Sequence, residues 1–137
     1  KDLSDYIKNN NLQNNIFLRG FLENKKLLNS FCDYDLFISH PIEMDHIAEA
    51  FFMANMEAMS SGLPVITTDC GGVPFIVKDN AIVCNQMSIE DIVKSIEKLL
   101  TDKILFNQMS VKGRKYIENN FSHELIVKKW REVLDEK

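Results

Sequence analysis

The chain has 137 residues, 45% hydrophobic and 26% charged, proportions that support one globular domain with a real core and exclude a disordered or staple-dependent scaffold. Its 16 Lys and Arg against 20 Asp and Glu give a formal charge of −4 and a pI near 5.4, which argues against a nucleic-acid-binding surface. No apolar run reaches the ~18 residues of a membrane-spanning helix, and Cys32, Cys70 and Cys84, widely spaced and without a C-x-x-C, predict buried thiols in a reducing, cytoplasmic setting.

The opening Lys1-Asp2-Leu3-Ser4-Asp5 has neither an initiator Met nor a signal-peptide core, and it reads as cut from something longer. Leu3, Tyr6 and Ile7 recur at helical spacing until Asn9-Asn10-Asn11 ends the run. Ile16-Phe17-Leu18-Arg19-Gly20 predicts a short buried strand closed by glycine. Leu27, Leu28 and Phe31 place a helix between Glu23 and Cys32, and Asp35-Leu36-Phe37-Ile38-Ser39 predicts a second strand. A charged loop from His40 to about Ile47 leads into a helix from Glu49 to Ser61, rich in Ala, Met and Phe and stopped by Gly62.

Pro64-Val65-Ile66-Thr67-Thr68 predicts the third strand, turned by Asp69-Cys70-Gly71-Gly72, and Ala81-Ile82-Val83-Cys84 the fourth. Helices follow over Ser88 to Leu100, with Ser88 and Asp91 as an N-cap pair, over about Asp102 to Asn119, and from Ser122 onward. Strands that are near-continuous apolar runs, separated by helices, predict a parallel sheet covered on both faces, a doubly wound α/β layer.

In such a sheet ligands bind at the carboxyl ends of the strands. Three segments leave those ends: Gly20-Phe21-Leu22, Ser39 through Glu49, and the Gly71-Gly72 turn. The last reads equally as backbone approach to an anion or as plain turn geometry. Glu49 and Glu57 lie eight residues apart in an otherwise apolar helix. That spacing amounts to about 80° of rotation and roughly 12 Å of rise, too far for a nucleophile and acid/base pair, whose carboxyls sit roughly 5 to 10 Å apart. It suits two contacts along one elongated ligand, since a carboxylate accepts hydrogen bonds from vicinal sugar hydroxyls. The bland reading makes Glu49 a first-turn residue favoured by the helix dipole and Glu57 a solvated side chain.

Two further strings invite a metal reading. Asp33-Tyr34-Asp35 matches D-x-D but lies at the entry of a strand, the wrong end for a ligand. His40, Glu43, Asp45, His46 and Glu49 share a loop with no standard metal-ligand spacing. No metal is expected at either.

The stretch Glu49 to Gly72, EAFFMANMEAMSSGLPVITTDCGG, continuing through Val73-Pro74, resembles the C-terminal signature of family 4 glycosyltransferases: E-x7-E, A-M-x-x-G-x-P-V-I, then G-G-x-P. The likeness runs upstream through IFLRGF and DYDLFIS and downstream through AIVC and the last helices, nearly the whole chain. It implies a Rossmann-like domain, the C-terminal half of a GT-B fold without its first βα units. Residues 1–137 would form one nucleotide-sugar-binding domain, with 122–137 a helix packing on an absent N-terminal domain.

The resemblance implies a retaining transferase moving a hexose from a nucleoside diphosphate sugar to an acceptor hydroxyl, without cofactor or metal. Glu57 would bind the ribose hydroxyls, and Glu49, the catalytic candidate, the hydroxyls of the transferred sugar. Backbone N–H groups around Phe51, Phe52 and Met53 would lie near the sugar and diphosphate, Gly20-Phe21-Leu22 would frame the base, and Gly71-Gly72 would approach the donor.

An acceptor glycan or lipid-linked sugar would bind through the absent domain, with peripheral membrane association open to the full-length enzyme. The family's basic pair for the diphosphate falls upstream of Lys1, so this chain alone is expected to bind donor weakly at best and not to turn over. Ala50 and Phe52 stand where family members carry glycines, and Phe75 stands where they carry a Glu. Pro41 to Ala48 looks like the longer loop of polysaccharide-type members. Ala50 and Phe52 support one alternative, a non-catalytic sugar-nucleotide-binding or interaction module of the same fold; a GT-B-fold nucleotide-sugar epimerase is another, against which the E-x7-E and A-M-x-x-G-x-P-V run speaks.

Overall fold

The computed structural model describes residues 2–44 and 52–135. Among these residues three strands, β1 (Phe37–Ile38), β2 (Val65–Thr68) and β3 (Ile82–Cys84), form one parallel sheet in the order β1-β2-β3. The register pairs Phe37 with Val65 and Ile38 with Ile66, then Ile66, Thr67 and Thr68 with Ile82, Val83 and Cys84. Among the described residues the helices are α1 (Leu3–Asn9), α2 (Asn24–Ser30), α3 (Met53–Ser60), α4 (Val73–Val77), α5 (Ile89–Thr101), α6 (Lys103–Phe121) and α7 (His123–Asp135), of which α3, α4 and α5 pack on the sheet.

Every residue of β2 is buried, because the strand is flanked on both edges and covered on both faces. Its side chains alternate between two core clusters. Val65 joins Phe31, Met56, Met59, Val73, Val77 and Ile117 on one face, and Ile66 joins Cys84, Leu99 and Met109 on the other. The 19-residue α6 serves both layers, through Met109 near its start and Ile117 near its end. This is the doubly wound arrangement expected from the alternating pattern.

Local chemistry accounts for the helix ends. Gly62, at φ +82°, closes α3: its N–H donates to Met59 O at 3.0 Å and the Leu63 N–H donates to Ala58 O at 3.0 Å, a Schellman pair that satisfies terminal carbonyls. Ser88 caps α5 by accepting from the Asp91 N–H at 3.2 Å. The Asp91 carboxylate in turn accepts from the Asn85 side-chain amide at 2.7 Å, which fastens the β3–α5 connection to the first helical turn.

The α3 helix starts at Met53 and not at Glu49, because Phe52 is non-helical at φ −82° and ψ 87°, so Glu49 and Glu57 do not share one continuous helix. Three further expectations fail locally. Ile16–Gly20 forms no strand, and Ile16, Phe17 and Leu18 are exposed. An extended segment becomes a strand only when a neighbour completes its ladder, and among the described residues β1 pairs only with β2. An apolar groove of about 560 Å³ lies where a neighbour would be, lined by Arg19–Leu22 and by Phe37 and Ile38 of β1.

Cys32 is exposed, whereas Cys70 and Cys84 are buried. Phe31 takes the inward position of the same 3₁₀ turn, so Cys32 points out, its thiol donating to Asn29 O at 3.2 Å. The third departure is α4, a helix started by Pro74 in its first turn where only a turn is legible in the sequence.

Candidate functional site

The parallel connections bring three loops to one rim: Ser39–Met44 after β1, Asp69–Gly72 after β2 and Asn85–Ser88 after β3. Hydrogen bonds stitch this rim together. The Thr68 hydroxyl donates to Pro41 O. Gln86 receives the Glu43 N–H on its side-chain oxygen at 2.7 Å and donates its own N–H to Asp69 Oδ1 at 2.9 Å. One glutamine therefore ties the loops of β1, β2 and β3.

The α3 helix enters at this rim. Phe52 is its N-cap residue, with φ −82° and ψ 87° and no side-chain cap, and accepts the Asn55 N–H at 3.2 Å. The phenyl ring of Phe52 packs against the first core cluster, so a large side chain at this position fills the interior while the backbone forms the helix entry. Met53 is exposed in the first turn. Glu57, one turn further on, is half-buried, and its carboxylate makes no ion pair or hydrogen bond with a described residue. Its backbone carbonyl accepts from the hydroxyls of Ser60 and Ser61 at 2.8 and 3.0 Å. Glu49 and Phe51 lie outside the described residues, as do Asp45 and His46.

Gly71 takes the left-handed backbone, φ +52°, and Gly72 caps α4 from φ −81°. The five-residue α4 is too short to carry an aligned peptide dipole of any weight, so the observed geometry of Gly71 is accounted for by the turn it makes. Gly20 also takes positive φ, +64°, with Phe21 95% exposed beside it. Gly20, Phe21 and Leu22 border the groove along β1, whose lining does not include Phe52, Met53, Glu57, Gly71 or Gly72. The described residues thus bring Phe52, Met53, Glu57, Gly71 and Gly72 to the carboxyl ends of β1 and β2, while the Gly20 segment lines a separate groove.

Asp33 and Asp35 precede β1, at the opposite end of the sheet from the rim, and both are exposed. Among the described residues no cluster of three or more His, Cys, Asp or Glu side chains is arranged to hold a metal ion.

Sequence reasoning passed over one constellation. Ser39, Asn55 and Thr67 interrupt apolar runs on three different elements and meet beneath the rim, 8%, 0% and 0% exposed. The Ser39 hydroxyl lies 2.8 Å from Asn55 Oδ1 and 2.9 Å from Thr67 Oγ1, and Asn55 Nδ2 donates to Thr67 Oγ1 at 3.1 Å. The only trace in the sequence is a polar residue at each inward position.

The family model described as "Glycosyl transferases group 1" matches residues 1–116. The chain belongs to this family. It is 32% identical over 133 residues to a poly(glycerol-phosphate) alpha-glucosyltransferase of Bacillus subtilis, 95% of this chain and 19% of that protein. It superposes on a glycosyltransferase from Rickettsia africae with TM-score 0.81 and 26% identity, over 97% of this chain and 35% of that one.

A variant of S. aureus TarM in complex with fondaparinux, alpha-GlcNAc-glycerol and UDP matches with TM-score 0.76 and 26% identity, over 94% of this chain and 25% of that one. The chain spans between 17% and 32% of the length of the curated relatives it matches. These likenesses make the α/β layer of this group 1 glycosyltransferase chain a Rossmann-like half of the GT-B fold.

Proposed function

We propose that this chain is the nucleotide-sugar-binding domain of a retaining glycosyltransferase that transfers a hexose to an acceptor hydroxyl in glycan or glycolipid synthesis. The observation that carries the reading is the placement of α3 at the carboxyl rim of the sheet, with the half-buried Glu57 carboxylate unengaged by any described residue, in a chain of this family. In this reading Glu57 accepts hydrogen bonds from the two ribose hydroxyls, and Glu49 meets the hydroxyls of the sugar.

The first backbone N–H groups of α3 face the diphosphate, where a helix start stabilises charge developing on the leaving group. Phe52 contributes backbone only, since its ring packs inward. Gly71 and Gly72 bring backbone close to the donor, and the donor reaches from the rim into the separate groove along β1, where Gly20, Phe21 and Leu22 frame the base. The UDP held by a structurally similar protein supports a nucleoside diphosphate donor. An acceptor glycan or lipid-linked sugar and a cytoplasmic location belong to the same proposal.

Calorimetric titration with UDP-, GDP- and ADP-sugars tests it. One of the three should bind, and Glu57→Ala should weaken that binding by about tenfold or more, the effect of losing a charge-assisted pair of hydrogen bonds. The melting temperature should change little, because the carboxylate makes no hydrogen bond or ion pair with a described residue. Equal affinity in the variant, or no binding of any donor by the parent chain, counts against the reading. Phe52 favours a second reading, a binding module without turnover, because it stands where the family pattern has a glycine; donor binding without sugar transfer in the full-length protein would identify that case.

A further inference from the structure

The Ser39–Asn55–Thr67 cluster sits where an apolar trio of equal volume would pack without demanding any hydrogen bond. Its three side chains come from the exit of β1, the first turn of α3 and the interior of β2, so they report the relative position of just those elements. Each hydroxyl carries one proton. All three contacts are satisfied together when Ser39 donates to Asn55, Asn55 to Thr67 and Thr67 back to Ser39, a closed circuit.

Such a circuit is intolerant of displacement. Sliding or rotating α3 by an ångström breaks at least two of its bonds in a buried site, and each orphaned group then carries its desolvation penalty. A contact made only by apolar packing yields to the same displacement more gradually.

We infer that this circuit sets the depth and rotation of α3 at the rim, and that Thr67 and Asn55 are positioning residues for Glu57 and the α3 helix start in donor binding. The inference rests on the donor-binding reading of the rim, but the geometry it invokes has its own readout. Asn55 faces the core two residues before Glu57, about 200° round the helix. Holding Asn55 inward therefore holds Glu57 on the opposite flank, where it is half-buried rather than submerged. Thr67 is the better position to test, because valine matches its shape and removes only the hydroxyl.

The experiment compares Thr67→Val, Thr67→Ser and, as a stability control in the core cluster on the other face of the sheet, Leu99→Ala. Affinity for uridine, guanosine and adenosine diphosphates is measured well below each melting point, and amide exchange is followed across α3 and α5. Thr67→Val, which removes two of the circuit's three bonds, should bind the preferred nucleotide about tenfold more weakly, with Thr67→Ser within about twofold of the parent. Leu99→Ala should lose stability but keep its affinity.

Parent-like affinity in Thr67→Val overturns the inference, as does an equal loss of affinity in Leu99→Ala. If the parent chain binds none of the nucleotides, the donor reading fails and exchange decides. Faster exchange of the Asn55–Glu57 amides in Thr67→Val, with α5 unchanged, then upholds the positioning role, and uniform or absent acceleration overturns it.

Discussion

At the scale of single residues, a few polar side chains decide local geometry. Asp91 accepts from both the side-chain amide and the backbone N–H of Asn85, and these bonds hold its carboxyl below the ordinary carboxylate value of 3.8. Asp79 is shifted in the same direction, chiefly by its hydrogen bond from Lys112. Because the folded value is the lower one, each contributes stability that is present above the unfolded pKa and is lost as pH falls through the folded value. Melting temperature measured from neutral pH downward should therefore drop less steeply through the carboxylate range in Asp91→Asn than in the parent. Parallel curves would show that the Asn85 bonds carry no folding linkage.

At the scale of elements, the long α6 helix shows a compromise between propensity and packing. Gly113 is buried in its interior, where glycine costs a helix roughly 1 kcal/mol relative to alanine. A Cβ built there lies 3.6 Å from Asn80 O and 3.7 Å from the Met59 side chain, ordinary van der Waals contact. Gly113→Ala should accordingly stabilise the chain by about 0.5 to 1 kcal/mol in urea unfolding, with no change in slope. A destabilised variant would show that the α3–α6 contact cannot accept even a methyl group. The α7 helix has the opposite character. Its residues Ile126, Trp130 and Val133 recur at helical spacing but remain substantially exposed, so their periodicity reports a face and not a core.

At the scale of the molecule, the two core layers divide the work. The face built on Val65 and Met59 carries α3 and stands under the rim, while the face built on Ile66 and Leu99 supports the sheet from behind. Leu99 is fully buried, so Leu99→Ala should cost about 2 to 5 kcal/mol in equilibrium unfolding through the cavity it leaves. A loss below ~1 kcal/mol would mean that α5 collapses onto the sheet and fills the space.

The amino-acid sequence by itself determined the parallel doubly wound class, every helix but the short α4, the glycine stop at Gly62 and the Ser88 cap, because periodicity and capping act over a few neighbouring residues. The E-x7-E spacing and the family signature were likewise contiguous, and so were legible. What lay beyond it was everything that depends on partners distant along the chain. Ile16–Gly20 has the composition of a strand but no ladder among the described residues, and the exposure of Cys32 turns on which neighbour claims the interior. The circuit of Ser39, Asn55 and Thr67 joins positions 12 to 28 residues apart. A hydrogen bond between such residues leaves no periodic trace, and only the packing of α3 against β1 and β2 decided that three scattered polar side chains would meet.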